Sequence, residues 1–226
     1  MHTARHPFFL EAGIIPLRFI IAKRRLMYLW NILKREDQDM VKNTYKVKKL
    51  NPVKGDWIIS LEKDNEVYGI HQTDEEIASM SQVQFKNYID RKINIKALEY
   101  LNLTALNHSK CQRLIKSQVK TEDYLTSDKL SRSEVELLFA LRTRMTPAKM
   151  NFKILHGENL FCTGCKIQPE TQQHLLLCPS LTKNISIPSD IEYEDLFKSI
   201  DHQKRIVRIF KEVLRQKEII EATHKE

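Results

Sequence analysis

The sequence predicts a mainly α fold, one or more small helical bundles with a single irregular loop–helix unit set into them and no substantial sheet. Three observations lead there. Only 5 Gly and 7 Pro occur in 226 residues, while 29% of the chain is Asp, Glu, Lys or Arg, a balance that suits helices better than sheets or glycine-rich loops. Apolar residues recur at intervals of three and four along several tracts. Ser or Thr followed three residues later by Glu, the pattern of a capping box, opens two of those tracts. With 42% hydrophobic residues the chain has enough apolar material for one or two small cores.

Taken in order, residues 14–35 give the first strong segment. After Pro16, the residues Phe19, Ile20, Leu26, Leu29, Trp30 and Leu33 keep mostly helical spacing, with Arg18, Lys23, Arg24 and Arg25 as a basic rim; one helix or two short ones fit it. Pro52 and Gly55 mark residues 48–57 as a linker or turn. Thr73 and Glu76 form a capping box, and from Phe85 onward Ile89, Ile93, Ala97 and Leu101 recur every four residues on one helical face. A break is expected over 102–109 and a short helix near 110–120. Residues 131–145 are the clearest helix: Ser131/Glu134 and Ser133/Glu136 offer alternative caps, Leu138, Leu141 and Met145 share a side, and Pro147 ends or bends it. Pro179 and Pro188 bracket a polar connector. A short helix follows at 191–200, then an amphipathic one at 203–221 through Ile206, Phe210, Val213 and Leu214. Four segments result: a basic helical segment (1–50), a helical linker region (51–130), a basic helix with the loop–helix unit (131–182), and terminal amphipathic helices (183–226).

The net charge of +8 is uneven. Residues 1–50 carry 11 Lys/Arg against 4 Asp/Glu, and residues 138–156 hold Arg142, Arg144, Lys149 and Lys153 with no acid. Two basic patches of this kind are the footprint of a polyanion binder, so Lys23, Arg24, Arg25, Arg142, Arg144, Lys149 and Lys153 are the candidate nucleic-acid contacts. No run approaches the ~20 apolar residues of a membrane span. The opening residues make a poor secretory signal, and the few cysteines do not suit a disulfide framework. An intracellular chain, nuclear or cytoplasmic, is expected.

Three of the 4 cysteines lie in CTGCKIQPETQQHLLLC, residues 162–178. The spacing Cys162-x2-Cys165-x8-His174-x3-Cys178 suits one metal ion. Two cysteines separated by two residues wrap a tight turn, and Gly164 within it removes a Cβ from the approach to the sulfurs. His174 and Cys178 stand four apart, on one face of a helix whose apolar face comes from the intervening leucines. Three thiolates and an imidazole are a standard tetrahedral set for Zn2+. Four protein ligands leave no position for a reacting water, which makes the expected zinc structural. Glu170, the nearest carboxylate, is expected to be solvated, Cys111 to be a buried thiol, and Phe152 and Phe161 to cover the site rather than stack on bases. Phosphate-binding loops, nucleophile elbows, HExxH helices and two-metal carboxylate clusters have no counterpart in the sequence. Neither an enzymatic activity nor a small-molecule substrate is expected. The acids Asp190, Glu192, Glu194 and Asp195 fit a solvated helix start better than a nuclease.

The tracts EAGIIPLRFIIAKRRLMYLWNIL, LLFALRTRMTPAKMNFK and CTGCKIQPETQQHLLLC, in this order and at about this separation, resemble the C-terminal part of non-LTR (LINE-type) retrotransposon reverse transcriptases. The resemblance runs from about Glu11 to about Lys217 and is most specific at LRTRM and the zinc knuckle. It implies a detached tail lying downstream of the polymerase palm, whose metal-binding aspartates have no counterpart here. It also implies a role in holding RNA or DNA, a polymerase core of the same element as a further partner, and zinc ligation by Cys162, Cys165, His174 and Cys178. The contrasting expectation is a zinc-stapled helical domain that binds protein and no nucleic acid.

Overall fold

The computed structural model describes residues 5–107, 111–152, 157, 159–188 and 190–223. These residues are mainly helical and contain no strand beyond one isolated antiparallel bridge between Phe161 and Pro169. The chain divides into two compact units, one made of residues 1–108 and 115–120, the other of 109–114 and 121–226. The chain passes between the units between residues 108 and 121, inside the segment 51–130 that the sequence reading keeps whole.

The first unit holds α1 (Arg5–Ala12), α2 (Leu17–Leu33), α3 (Met40–Leu50), α4 (Trp57–Tyr68), α5 (Asp74–Ser79) and α6 (Gln82–Leu106). Residues 17–33 form a single helix, which buries Phe19, Ala22, Leu26, Leu29, Ile32 and Leu33. Its main partner is α6, where the expected four-residue stripe of Phe85, Ile89, Ile93, Ala97 and Leu101 is buried throughout. The break expected from residue 102 begins later, since α6 runs on to Leu106. Capping boxes start both α5 (Thr73/Glu76) and α6 (Ser81/Gln84), so two helices occupy the tract where one start was expected. Gly69 ends α4 in a left-handed conformation (φ 63°), a geometry that glycine adopts without a Cβ penalty.

The second unit holds α7 (Asp123–Thr126), α8 (Arg132–Arg142), α9 (Gln172–Leu177), α10 (Pro179–Thr182) and α11 (Ile200–Thr223). Short 3-10 turns lie at Gln112–Leu114, Lys149–Phe152 and Tyr193–Phe197; the first and third replace the short helices expected near 110–120 and 191–200. Of the two candidate caps, Ser131/Glu134 starts α8. The helix stops before Pro147, because Arg144 takes a left-handed φ of 55°. The long α11 packs against α8, α9, α10 and the 193–197 turn. Its Ile206, Val207, Phe210 and Val213 join Leu138, Leu141, Leu175, Leu176 and Leu181 in one core that also contains Cys162 and Cys178. No helix among the described residues is long and apolar enough to cross a membrane.

Candidate metal centre

Local backbone preferences bring the four expected ligands together. The bridge between Phe161 and Pro169, with Cys162 N–H donating to the Gln168 carbonyl (2.8 Å) and Glu170 N–H to the Leu160 carbonyl (2.7 Å), folds residues 160–170 into a tight hairpin. Its turn carries Cys162 and Cys165. Lys166 follows at φ 58°, and its N–H closes the turn on the Cys162 carbonyl. The Thr171 hydroxyl oxygen accepts the His174 N–H (2.9 Å) and starts α9, which ends at Cys178. A Cβ on Gly164 would stand 2.8 Å from Leu181 Cγ and 3.3 Å from Cys178 Sγ. Glycine is thus required where the turn meets the core, for a contact more specific than the general clearance expected of it.

The ligand atoms of Cys162, Cys165, His174 and Cys178 all lie within 4.8 Å of one another, and these residues can bind one metal ion. Cys162 and Cys178 Sγ are 3.6 Å apart, and Cys165 Sγ is 3.4 Å from His174 Nε2. Sulfurs held tetrahedrally at ~2.3 Å from a common ion stand ~3.8 Å apart, and a sulfur and an imidazole nitrogen ~3.5 Å apart, so these two pairs already match an ion of that size. The sulfurs differ in surroundings. Burial pushes the Cys162 thiol up to about 12 in the absence of an ion, whereas the Gln168 and Ile167 N–H groups bring Cys165 down to about 6. Backbone N–H groups aimed at a sulfur favour the thiolate that a metal needs.

Beneath the hairpin lies a network that the sequence did not reveal. Glu170 is 0% exposed, which corrects the expectation of a solvated carboxylate. Its carboxylate accepts the Thr163 N–H (2.8 Å), the Lys149 N–H (3.1 Å) and the Lys217 ammonium of α11 (2.7 Å). Burial raises its pKa, but the Lys217 ammonium and the Thr163 N–H outweigh burial and leave it below the ordinary range. Lys217 also donates to the Pro147 carbonyl (2.7 Å), and the Thr163 hydroxyl to Glu221 of α11 (3.1 Å). One buried carboxylate therefore ties the cysteine turn, the 149–152 turn and α11 together. A second hub is buried Gln172, which donates to the Leu141 carbonyl and the Tyr193 hydroxyl and accepts from the Thr146 hydroxyl.

The expected basic contacts separate into several environments. Arg142 is 6% exposed; it donates to the Leu196 carbonyl (2.7 Å) and Glu122 (2.8 Å) and lies over the Tyr124 and Phe197 rings. Lys149 is nearly buried, with its ammonium on the Phe161 carbonyl (2.9 Å). These two are held within the fold rather than displayed as surface contacts: Arg142 meets the buried Leu196 carbonyl, and the Lys149 ammonium is engaged by a main-chain carbonyl of the hairpin. Arg144 is half-buried, and its positive charge opposes the rise that burial gives the Tyr193 phenol. In the first unit Lys23 pairs with Asp90 and Arg25 with Asp64, while Arg24 is exposed. Lys153 lies outside the described residues. Phe152 is partly buried, as expected, but Phe161 is 51% exposed, and Lys166 and Ile167 on the same hairpin are exposed as well. Cys111 is buried, as expected.

No protein-family profile, curated protein or solved structure matches this chain.

Proposed function

We propose that this chain is a non-catalytic nucleic-acid-binding region, resembling the part of retrotransposon reverse transcriptases that follows the polymerase palm, in which one structural zinc ion shapes the contact surface. The Cys3His donor set supports zinc, and its four ligands fill a tetrahedral sphere. The observation that carries the binding reading is the knuckle hairpin itself. It presents half-exposed Phe161, exposed Ile167 and the Lys166 cation, while Glu170, Lys149 and the metal ligands hold its backbone from below. An aromatic ring and a cation on a rigid hairpin suit an unpaired base and its phosphate. The net charge of +8 supports a polyanionic partner, RNA or DNA.

Fluorescence anisotropy with single-stranded RNA and DNA oligonucleotides tests this. Affinity should fall as salt rises, Phe161→Ala should cost about 1–3 kcal/mol, and Lys166→Ala should lower the salt slope by about one unit. A salt-independent affinity, or one unchanged in both variants, would reject the reading. The burial of Arg142 and Lys149 favours the second reading, a zinc-stapled protein-interaction domain, which that outcome would leave standing.

A further inference from the structure

Helix α2 has a second apolar face. Opposite the buried one, Leu17 is 67% exposed, Ile21 45% and Tyr28 48%, with exposed Ile20 beside them. Leu17, Ile21, Arg24 and Tyr28 follow intervals of four, three and four, which at ~100° per residue places them within about 60° around the axis. This is the spacing of a helix–helix seam, in which a helix rather than an extended segment covers the stripe. A surface helix that buries only one face has no packing reason to keep Leu17 and Ile21 in register on the other, and Tyr28, whose ring meets Trp57 of α4 edge-on (centroids 5.6 Å apart), extends the stripe with its exposed half.

The charges on this helix define what the partner must supply. No Asp or Glu occurs between Leu17 and Leu33. Of its four cations, Lys23 and Arg25 are neutralised within the unit by Asp90 and Asp64. Arg18 flanks the stripe, its guanidinium over the Tyr100 ring. Arg24 stands in the middle of the stripe, exposed and in no ion pair among the described residues. A polar residue at one seam position sets the register and the choice of partner. A second copy of α2 brings cations toward cations with no acid on either side. A nucleic-acid backbone gains little from a stripe that is three-quarters apolar.

We propose that the outer face of α2 is a docking site for an amphipathic helix of another protein that carries apolar seam residues and a carboxylate opposite Arg24. The Leu17, Ile21 and Tyr28 side chains supply the contact area, and the Arg24 guanidinium selects the acidic partner.

The probe is a designed amphipathic peptide of about 20 residues, long enough to form a helix, with leucines along its seam and a central glutamate. A second version carries lysine in place of the glutamate. Anisotropy against the full chain should show saturable binding of the glutamate peptide. Leu17→Ser and Ile21→Ser should each weaken it at least about tenfold, and Arg24→Glu should reverse the preference toward the lysine peptide. All three side chains are exposed, and the fluorescence of Trp30 in the same helix checks that each variant is folded. Equal binding of the two peptides, or no effect of the stripe substitutions, would overturn the proposal. Self-association abolished by Ile21→Ser would assign the face to a second copy, and displacement of the peptide by single-stranded RNA would assign it to nucleic acid.

Discussion

Glu170 shows how one side chain organises the candidate metal centre. Its ion pair with Lys217 is buried on both sides, at 0% and 8% side-chain exposure. Removing one partner of such a pair leaves an uncompensated charge, at a cost of about 3–5 kcal/mol, whereas replacing both with apolar groups costs far less. Glu170→Gln should therefore destabilise the second unit strongly and weaken metal binding through the loosened Thr163 turn. The Glu170→Leu/Lys217→Met double variant should be more stable than the sum of its single changes implies, as measured by denaturation followed by circular dichroism and by chelator competition. Additive effects would show that the pair acts as two separate groups. Glu170 was not legible in the sequence because its partner lies 47 residues away. Arg142 was misread for the same reason. Its position near a helix end suggests a surface cation, but Glu122 and the Leu196 carbonyl hold it inside.

At the level of elements, the turn between α3 and α4 gives a prediction free of the metal. The Lys48 ammonium and the Val53 N–H hold the Asp56 carboxyl below its usual range. A carboxyl with a depressed folded pKa contributes stability that is complete above its unfolded value, about 3.9, and is lost as pH falls through the folded value. Both tryptophans, Trp30 and Trp57, belong to the first unit, so their fluorescence reports on it. Urea midpoints followed by tryptophan emission should fall between about pH 5 and pH 2, and Asp56→Asn should flatten part of that fall. An identical pH profile in the variant would remove Asp56 from the account. Elements with strong local signals were legible: the buried stripe of α6, the caps at Thr73 and Ser131, and the amphipathic α11. Helices α3 and α4 were not. Tyr45 is the only fully buried residue of α3, and its hydroxyl bonds Asp74 across the unit. In α4 the buried Ile58, Leu61 and Tyr68 are too sparse to set a period. Tertiary contacts, rather than local pattern, define both helices. For the site, ligand spacing was fully legible, whereas the exposure of Phe161 depends on how the hairpin stands on Lys149 and was not.

The described residues form two cores, and of the candidate metal ligands Cys162, Cys165 and Cys178 belong to or pack against only one of them. Metal removal should therefore act unevenly. A strong chelator should abolish amide-exchange protection in α8, α9 and α11 and leave the emission of Trp30 and Trp57 unchanged, since binding energy at a structural site is folding energy for the unit that holds it. Loss of the tryptophan signal together with that protection would show a single cooperative structure. The central claim is that Cys162, Cys165, His174 and Cys178 hold one zinc ion with no position left for water. Zinc K-edge X-ray absorption on the purified chain tests it most directly. The account predicts three sulfur ligands at ~2.3 Å and one nitrogen at ~2.0–2.1 Å. A water oxygen among the ligands, fewer than three sulfurs, or a chain purified from zinc-containing medium without zinc would contradict it.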